Sequence, residues 1–119
     1  MSSPASAFIG YGFIINKYED CPMQAYDEEG CETTYEWDLW VTQLEDSDYY
    51  HYIDSYDTEE FFFGINCTSW IDPGEYKTLD VNLIYNKDDW AKCLKEFYKF
   101  FPNYNKSEPS FKLINVYFG

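Results

Sequence analysis

Apolar positions along the chain change period several times, and each change marks an element. Phe8–Asn16 (FIGYGFIIN) is rich in aromatic and β-branched residues and predicts a first strand. Gly10 and Gly12 lie on one face of it, which implies a closely approaching backbone or a bulge. Residues 17–32 predict a loop, with Pro22 and a turn at Asp27-Glu28-Glu29-Gly30. Thr33 and Glu36 then match a capping box, followed by Trp37, Trp40, Val41 and Leu44 on one helical face. Strict alternation of Tyr35, Trp37, Leu39 and Val41 competes as a strand; cap and face together favour the helix.

Beyond Glu45, residues Tyr49, Tyr50, Tyr52 and Ile53 suit either a short edge strand or a packed loop. The run from Glu60 to Thr68 is apolar on both faces and predicts a central strand. A turn at Asp72-Pro73-Gly74 would return the chain through a strand at Tyr76–Tyr85, where Leu79, Val81, Leu83 and Tyr85 alternate. Asn86 as N-cap, Asp88 and Asp89 in the first turn and the face Trp90, Cys93, Leu94, Phe97 and Phe101 define a second helix, stopped at Pro102. Phe111–Phe118 predicts a last strand, and residues 1–6 a loose terminus. The expectation is one α+β domain: a four-stranded, mainly antiparallel sheet with two helices, order β-α-β-β-α-β, in the split βαβ (ferredoxin-like) arrangement.

Charge changes this picture most. Of the 22 carboxylates, fifteen fall between Tyr18 and Glu60, a stretch without a single Lys or Arg. The rest of the chain is close to neutral, so the formal charge of −14 belongs to one segment. Tyrosines and tryptophans interleave with these acids, and aromatics make up 23% of the chain, so the segment reads as a folded surface and not a disordered tail. Such a surface repels nucleic acid and anionic lipid. Absence of Arg beside abundant Lys, Asn, Ile, Tyr and Phe, all with A/T-rich codons, points to a low-GC genome.

No basic leader or long apolar run is visible, which predicts a cytoplasmic protein with Cys21, Cys31, Cys67 and Cys93 reduced. The even number would permit a Cys21–Cys31 disulfide in an oxidising compartment. With no secretory leader visible, the sequons at Asn66 and Asn105 read as chance matches.

Catalytic signatures are sparse. His51 is the one histidine, read as a partly exposed loop residue without a Ser or Cys partner at recognisable spacing. The cysteine spacings hold no close pair of zinc ligands. Asp46-x-Asp48 opens like a calcium loop, but His51 and Asp57 stand where Gly and Glu are needed. Neither a phosphate loop nor a dinucleotide fingerprint is present. The expectation is therefore a non-enzymatic protein with no metal and no cofactor. A small carboxylate enzyme or carbohydrate binder is the weakest alternative, because fifteen acids in forty-three residues bring some pair together by chance.

The acidic field itself suggests a partner. Fifteen charges match about 25 Å of duplex at one charge per ~1.7 Å. A globule of this length has a radius of gyration of about 13–14 Å and a diameter of ~35 Å, so one side of it can carry that density. In size and charge the chain resembles the small acidic phage proteins that act against restriction or CRISPR nucleases. The expected partner is thus a basic nucleic-acid-binding protein, a nuclease or its complex, met through Asp27, Glu28, Glu29, Glu32, Glu36, Asp38, Glu45, Asp46, Asp48, Asp54 and Asp57 with Tyr49 and Tyr50 as anchors. The competing expectation is a general protein-interaction module whose acids only set solubility.

Overall fold

The N-terminal aromatic run forms the longest strand, β1 (Ala5–Asn16), and the sheet is built outward from it. The structure, a computed structural model, describes residues 5–53, 59–68 and 84–117. After β1 come α1 (Tyr35–Glu45), β2 (Tyr50–Tyr52), β3 (Glu60–Asn66), α2 (Lys87–Phe100) and β4 (Ser110–Tyr117). The strands make one antiparallel sheet in the order β2-β3-β1-β4. The α+β class and the β-α-β-β-α-β order are those expected, and this strand order is the split βαβ arrangement.

One strand differs from expectation. The second strand of the order is the three-residue Tyr50–Tyr52, paired with Phe61–Phe63. The expected Asp72-Pro73-Gly74 turn and most of the strand at Tyr76–Tyr85 lie outside the described residues; Ile84 and Tyr85 precede α2 outside any element. At the N-terminus, Ala5 and Ser6 are not loose: they pair with Tyr117 and Val116, because β4 offers their backbone groups partners.

Two-residue periodicity then decides which side chains meet. Phe13 and Ile15 of β1 join Phe61, Phe63 and Ile65 of β3 on one face, packed against Trp37, Trp40 and Leu44 of α1 and Cys93, Phe97 and Phe101 beyond. Phe8, Phe62 and Ile114 form a second cluster on the opposite face, with Ile14 and Ile53 against it. Three consecutive phenylalanines, Phe61 to Phe63, are therefore fully buried, which fits the central place of β3. Each such burial stabilises by about 1.5–3 kcal/mol.

Gly12 and Gly64 face each other across the β1–β3 pair. A Cβ on Gly12 would sit 2.2 Å from the Phe63 carbonyl oxygen, and one on Gly10 would sit 2.6 Å from the Phe62 ring. The glycines thus let two backbones close up and let the Phe62 ring lie over them, the close approach that the strand pattern implied.

Both helices start at polar caps. Asn86 Oδ1 accepts from the Asp88 and Asp89 N–H groups at 2.9 and 3.1 Å. For α1 the cap is Thr34, one residue later than the expected box, with Oγ1 accepting from Trp37 N–H at 3.2 Å. Thr33 is held extended in a bridge with Tyr26 and donates its hydroxyl to Asp38, so it cannot cap. The molecule is a slab, 51 × 40 × 22 Å, with a radius of gyration of 15.8 Å, larger than the globular expectation.

Candidate functional site

The acids sit on a frame of short-range hydrogen bonds. Asn16 Oδ1 accepts from the Tyr18 and Glu19 amides, and Asp20 Oδ2 accepts from the Asn16 amide. Asp27 closes the next turn: its carboxylate takes the Cys31 N–H at 2.8 Å, its carbonyl takes the Gly30 N–H, and its own N–H reaches the Glu32 carbonyl. Gly30 supplies the φ of 74° that this turn requires. Thr34 ties the hairpin down through its N–H to the Ala25 carbonyl and its hydroxyl to the Gln24 carbonyl. Above α1 the rings of Tyr26, Tyr18 and Trp37 stack in sequence at 5.3 and 4.8 Å, and the Trp37 indole N–H donates to the Lys17 carbonyl. The loop expected over residues 17–32 is therefore a fixed hairpin docked on a helix.

On that frame Glu28, Glu29 and Glu32 are exposed at the turn, while Asp27 is half-buried and spends one oxygen on the turn itself. Glu36 and Asp38 are exposed in the first turn of α1. Glu45, Asp46 and Asp48 are exposed at and beyond its C-terminal end. The eleven residues of α1 separate these two groups by about 16 Å. The first group suits the positive end of the helix dipole; the second opposes the negative end, with no basic residue in the last turn. Asp54 and Asp57 lie outside the described residues.

Countercharge is scarce. Among the described residues two ion pairs form, Lys17–Glu45 at 2.8 Å and Lys106–Asp20. Burial pulls the Lys17 ammonium down, but its hydrogen bonds to Glu45 and Tyr50 outweigh this and leave it above its ordinary value. Its Nζ lies 5.3 Å from the Tyr50 ring centroid.

Tyr49 and Tyr50, expected as anchors, are half-buried at the edge of the core, against Phe63 and Phe61. Burial foremost, with nearby Cys93, Glu96, Asp89 and Asp48, pushes the Tyr49 phenol up. The presented apolar groups are different ones: Tyr35 is 80% exposed, Leu39 48% and Tyr26 44%. Tyr35 and Leu39 stand four residues apart on the side of α1 away from Trp37, Trp40 and Leu44, a signal present in the helical pattern that the count of tyrosines hides.

His51 is not a loop residue. It lies on β2, with its ring 5.0 Å from that of Phe8 and 5.6 Å from that of Phe62. Burial lowers its pKa, opposed by a hydrogen bond with the Gly64 backbone. It borders a shallow groove of about 230 Å³ with Asp48, Tyr49, Asn66 and Asp89. The four cysteines are unpaired, and burial pushes the Cys93 thiol up to about 12. Among the described residues no three His, Cys, Asp or Glu side chains gather to hold a metal, and no helix is long and apolar enough to cross a membrane. Comparison with protein-family models, curated proteins and solved structures returns no match.

Proposed function

We propose that the protein is a non-enzymatic binder that enters the basic nucleic-acid groove of a partner protein, a nuclease or its complex, in place of nucleic acid. The observation that carries this reading is that Glu28, Glu29, Glu32, Glu36, Asp38, Asp46 and Asp48 are all exposed on a hydrogen-bonded hairpin and helix, and that none of them is in an ion pair among the described residues. A solvated face made only for solubility needs neither a fixed frame nor acids at the unfavourable end of α1. Within a Debye length of about 8 Å these charges repel each other, and a basic groove relieves that repulsion. Action against a host or invader nuclease in the cytoplasm, as by small acidic phage proteins, is the setting that suits this role.

A second reading is favoured by the exposure of Tyr26, Tyr35 and Leu39 within the acidic segment: an interaction module anchored by apolar contacts, with acids setting specificity. One experiment separates the two. Basic nucleic-acid-binding proteins captured on the immobilised chain are challenged with duplex DNA or guide RNA. The first reading expects displacement, and a steep salt-sensitive loss of capture when Glu28, Glu29, Glu32, Glu45, Asp46 and Asp48 are changed together to amides. Capture that ignores nucleic acid and vanishes only with Tyr35→Ser and Leu39→Ser would replace it by the second.

A further inference from the structure

Away from the acidic surface, Trp90, Leu94 and Tyr98 recur every four residues along α2 and form one wall of a cleft of about 420 Å³. The opposite wall is the loop from Tyr104 to Pro109, and Phe13 of β1 closes the bottom. The Phe13 ring centroid lies 5.8 Å from that of Trp90 and 5.5 Å from that of Tyr104, with interplanar angles of 40° and 76°. Three aromatic rings thus meet as a floor and two inclined walls, and Tyr98, 45% exposed, stands at the rim.

The loop that closes this box is fixed. Tyr104 N–H donates to the Phe101 carbonyl at 3.2 Å, and the Tyr104 hydroxyl lies 2.7 Å from Ser107 Oγ. Lys106, which also borders the cleft, is engaged by the carboxylate of Asp20. The carboxylate left on the cleft wall is that of Glu108.

The volume falls in the range of small-ligand sites, about 300–1,000 Å³. Its chemistry selects the occupant. Ring faces carry the negative end of the aromatic quadrupole, so inclined aromatic walls favour a cation with an apolar shell. With Lys106 taken by Asp20, the Glu108 carboxylate on the cleft wall favours a cation over an anionic ligand. Leu94 and Pro109 offer alkyl contact. We propose that the cleft between α2 and the Tyr104–Pro109 loop binds an alkylated ammonium group through Phe13, Trp90, Tyr98, Tyr104 and Glu108. The group belongs either to a free molecule such as choline or to a trimethylated lysine of another protein.

The test titrates the full chain with choline, with its uncharged isostere 3,3-dimethylbutan-1-ol and with a short trimethyl-lysine peptide, following the Trp90 indole N–H resonance. Choline should shift that resonance, with the isostere binding about tenfold more weakly. Glu108→Gln and Tyr98→Ala, both at exposed positions that leave the fold intact, should each weaken choline several-fold. A tighter fit for the peptide assigns the group to a partner protein, and a tighter fit for choline to a free molecule. Equal binding of the isostere, no Trp90 shift with any ligand, or binding unchanged in both variants would overturn the proposal.

Discussion

The indole N–H of Trp40 donates to the main-chain carbonyl of Phe100, 3.3 Å away, across sixty residues of sequence. The same indole stands edge-on to Phe101 with ring centroids 5.4 Å apart. One side chain thus joins the middle of α1 to the end of α2 by both a polar and an apolar contact. Trp40→Phe keeps a ring and loses the donor, and should cost about 1 kcal/mol. Trp40→Ala should cost about 3–5 kcal/mol, since Trp40 is buried and its neighbours cannot close the gap. Urea unfolding reads both as a lower midpoint at unchanged slope.

Glycines in this chain fail for different reasons when a methyl group is added. At Gly12 the new Cβ meets the Phe63 carbonyl and the Gly64 Cα at 2.2 and 2.6 Å, both main-chain atoms that cannot step aside. At Gly30 nothing lies within 4 Å, but φ is 74°. Gly30→Ala should therefore cost only about 1–2 kcal/mol of left-handed strain. Gly12→Ala should cost more, because β1 and β3 must separate. A Gly12→Ala protein as stable as Gly30→Ala would show that the two strands are less tightly joined.

These positions also show what was legible in the sequence. Gly10 and Gly12 on one strand face implied a close backbone approach or a bulge, and the apolar run at Glu60–Thr68 implied a central strand; both are strong local patterns that tertiary packing reinforces. The strand Tyr50–Tyr52 was ambiguous because three residues are too few to show a period, and its pairing with Phe61–Phe63 decides it. The α1 cap moved from Thr33 to Thr34 because Thr33 is held by Tyr26, a contact invisible to a local motif. In the candidate interface, charge was fully legible and direction was not. Tyr49 and Tyr50 look like Tyr35 in the sequence, and only the sheet edge turns them toward the core.

Thiol reactivity should follow burial. Cys31 is exposed, Cys21 and Cys67 are half-buried with pKa values raised by burial, and Cys93 is buried with its thiol pushed up to about 12. At pH 8 an aromatic disulfide reagent should modify Cys31 first, Cys21 and Cys67 more slowly, and Cys93 only as the protein unfolds. Prompt labelling of Cys93 in the native protein would mean that this face of α2 is not packed into the core.

His51 should make stability fall on mild acidification. Burial holds its folded-state pKa below the unfolded value of about 6.5. Above that pH both states are neutral and the full stability is present. As pH drops through about 6.5 the unfolded state takes up the proton first, so stability declines until pH passes below the folded pKa. The difference in urea midpoint between pH 7.5 and the start of carboxylate titration should shrink in His51→Gln. An unchanged difference would assign the acid sensitivity to other groups.

The acidic hairpin should be a burden on the fold that carries it. Glu28, Glu29 and Glu32 are exposed around one turn, and the hydrogen bonds closing that turn come from Asp27 and the backbone. Removing the three charges therefore breaks no contact of the frame and relieves repulsion from Asp27, Glu36 and Asp38. Glu28→Gln, Glu29→Gln and Glu32→Gln together should raise the melting temperature by a few degrees at low salt, where the Debye length is about 30 Å. The gain should fade at about 1 M salt, where that length is ~3 Å. A gain that fades in this way means that the charges are retained against the interest of stability, as a surface shaped for a basic partner requires. A loss of stability instead would make the acids part of the scaffold, and would remove the reason to read them as an interface.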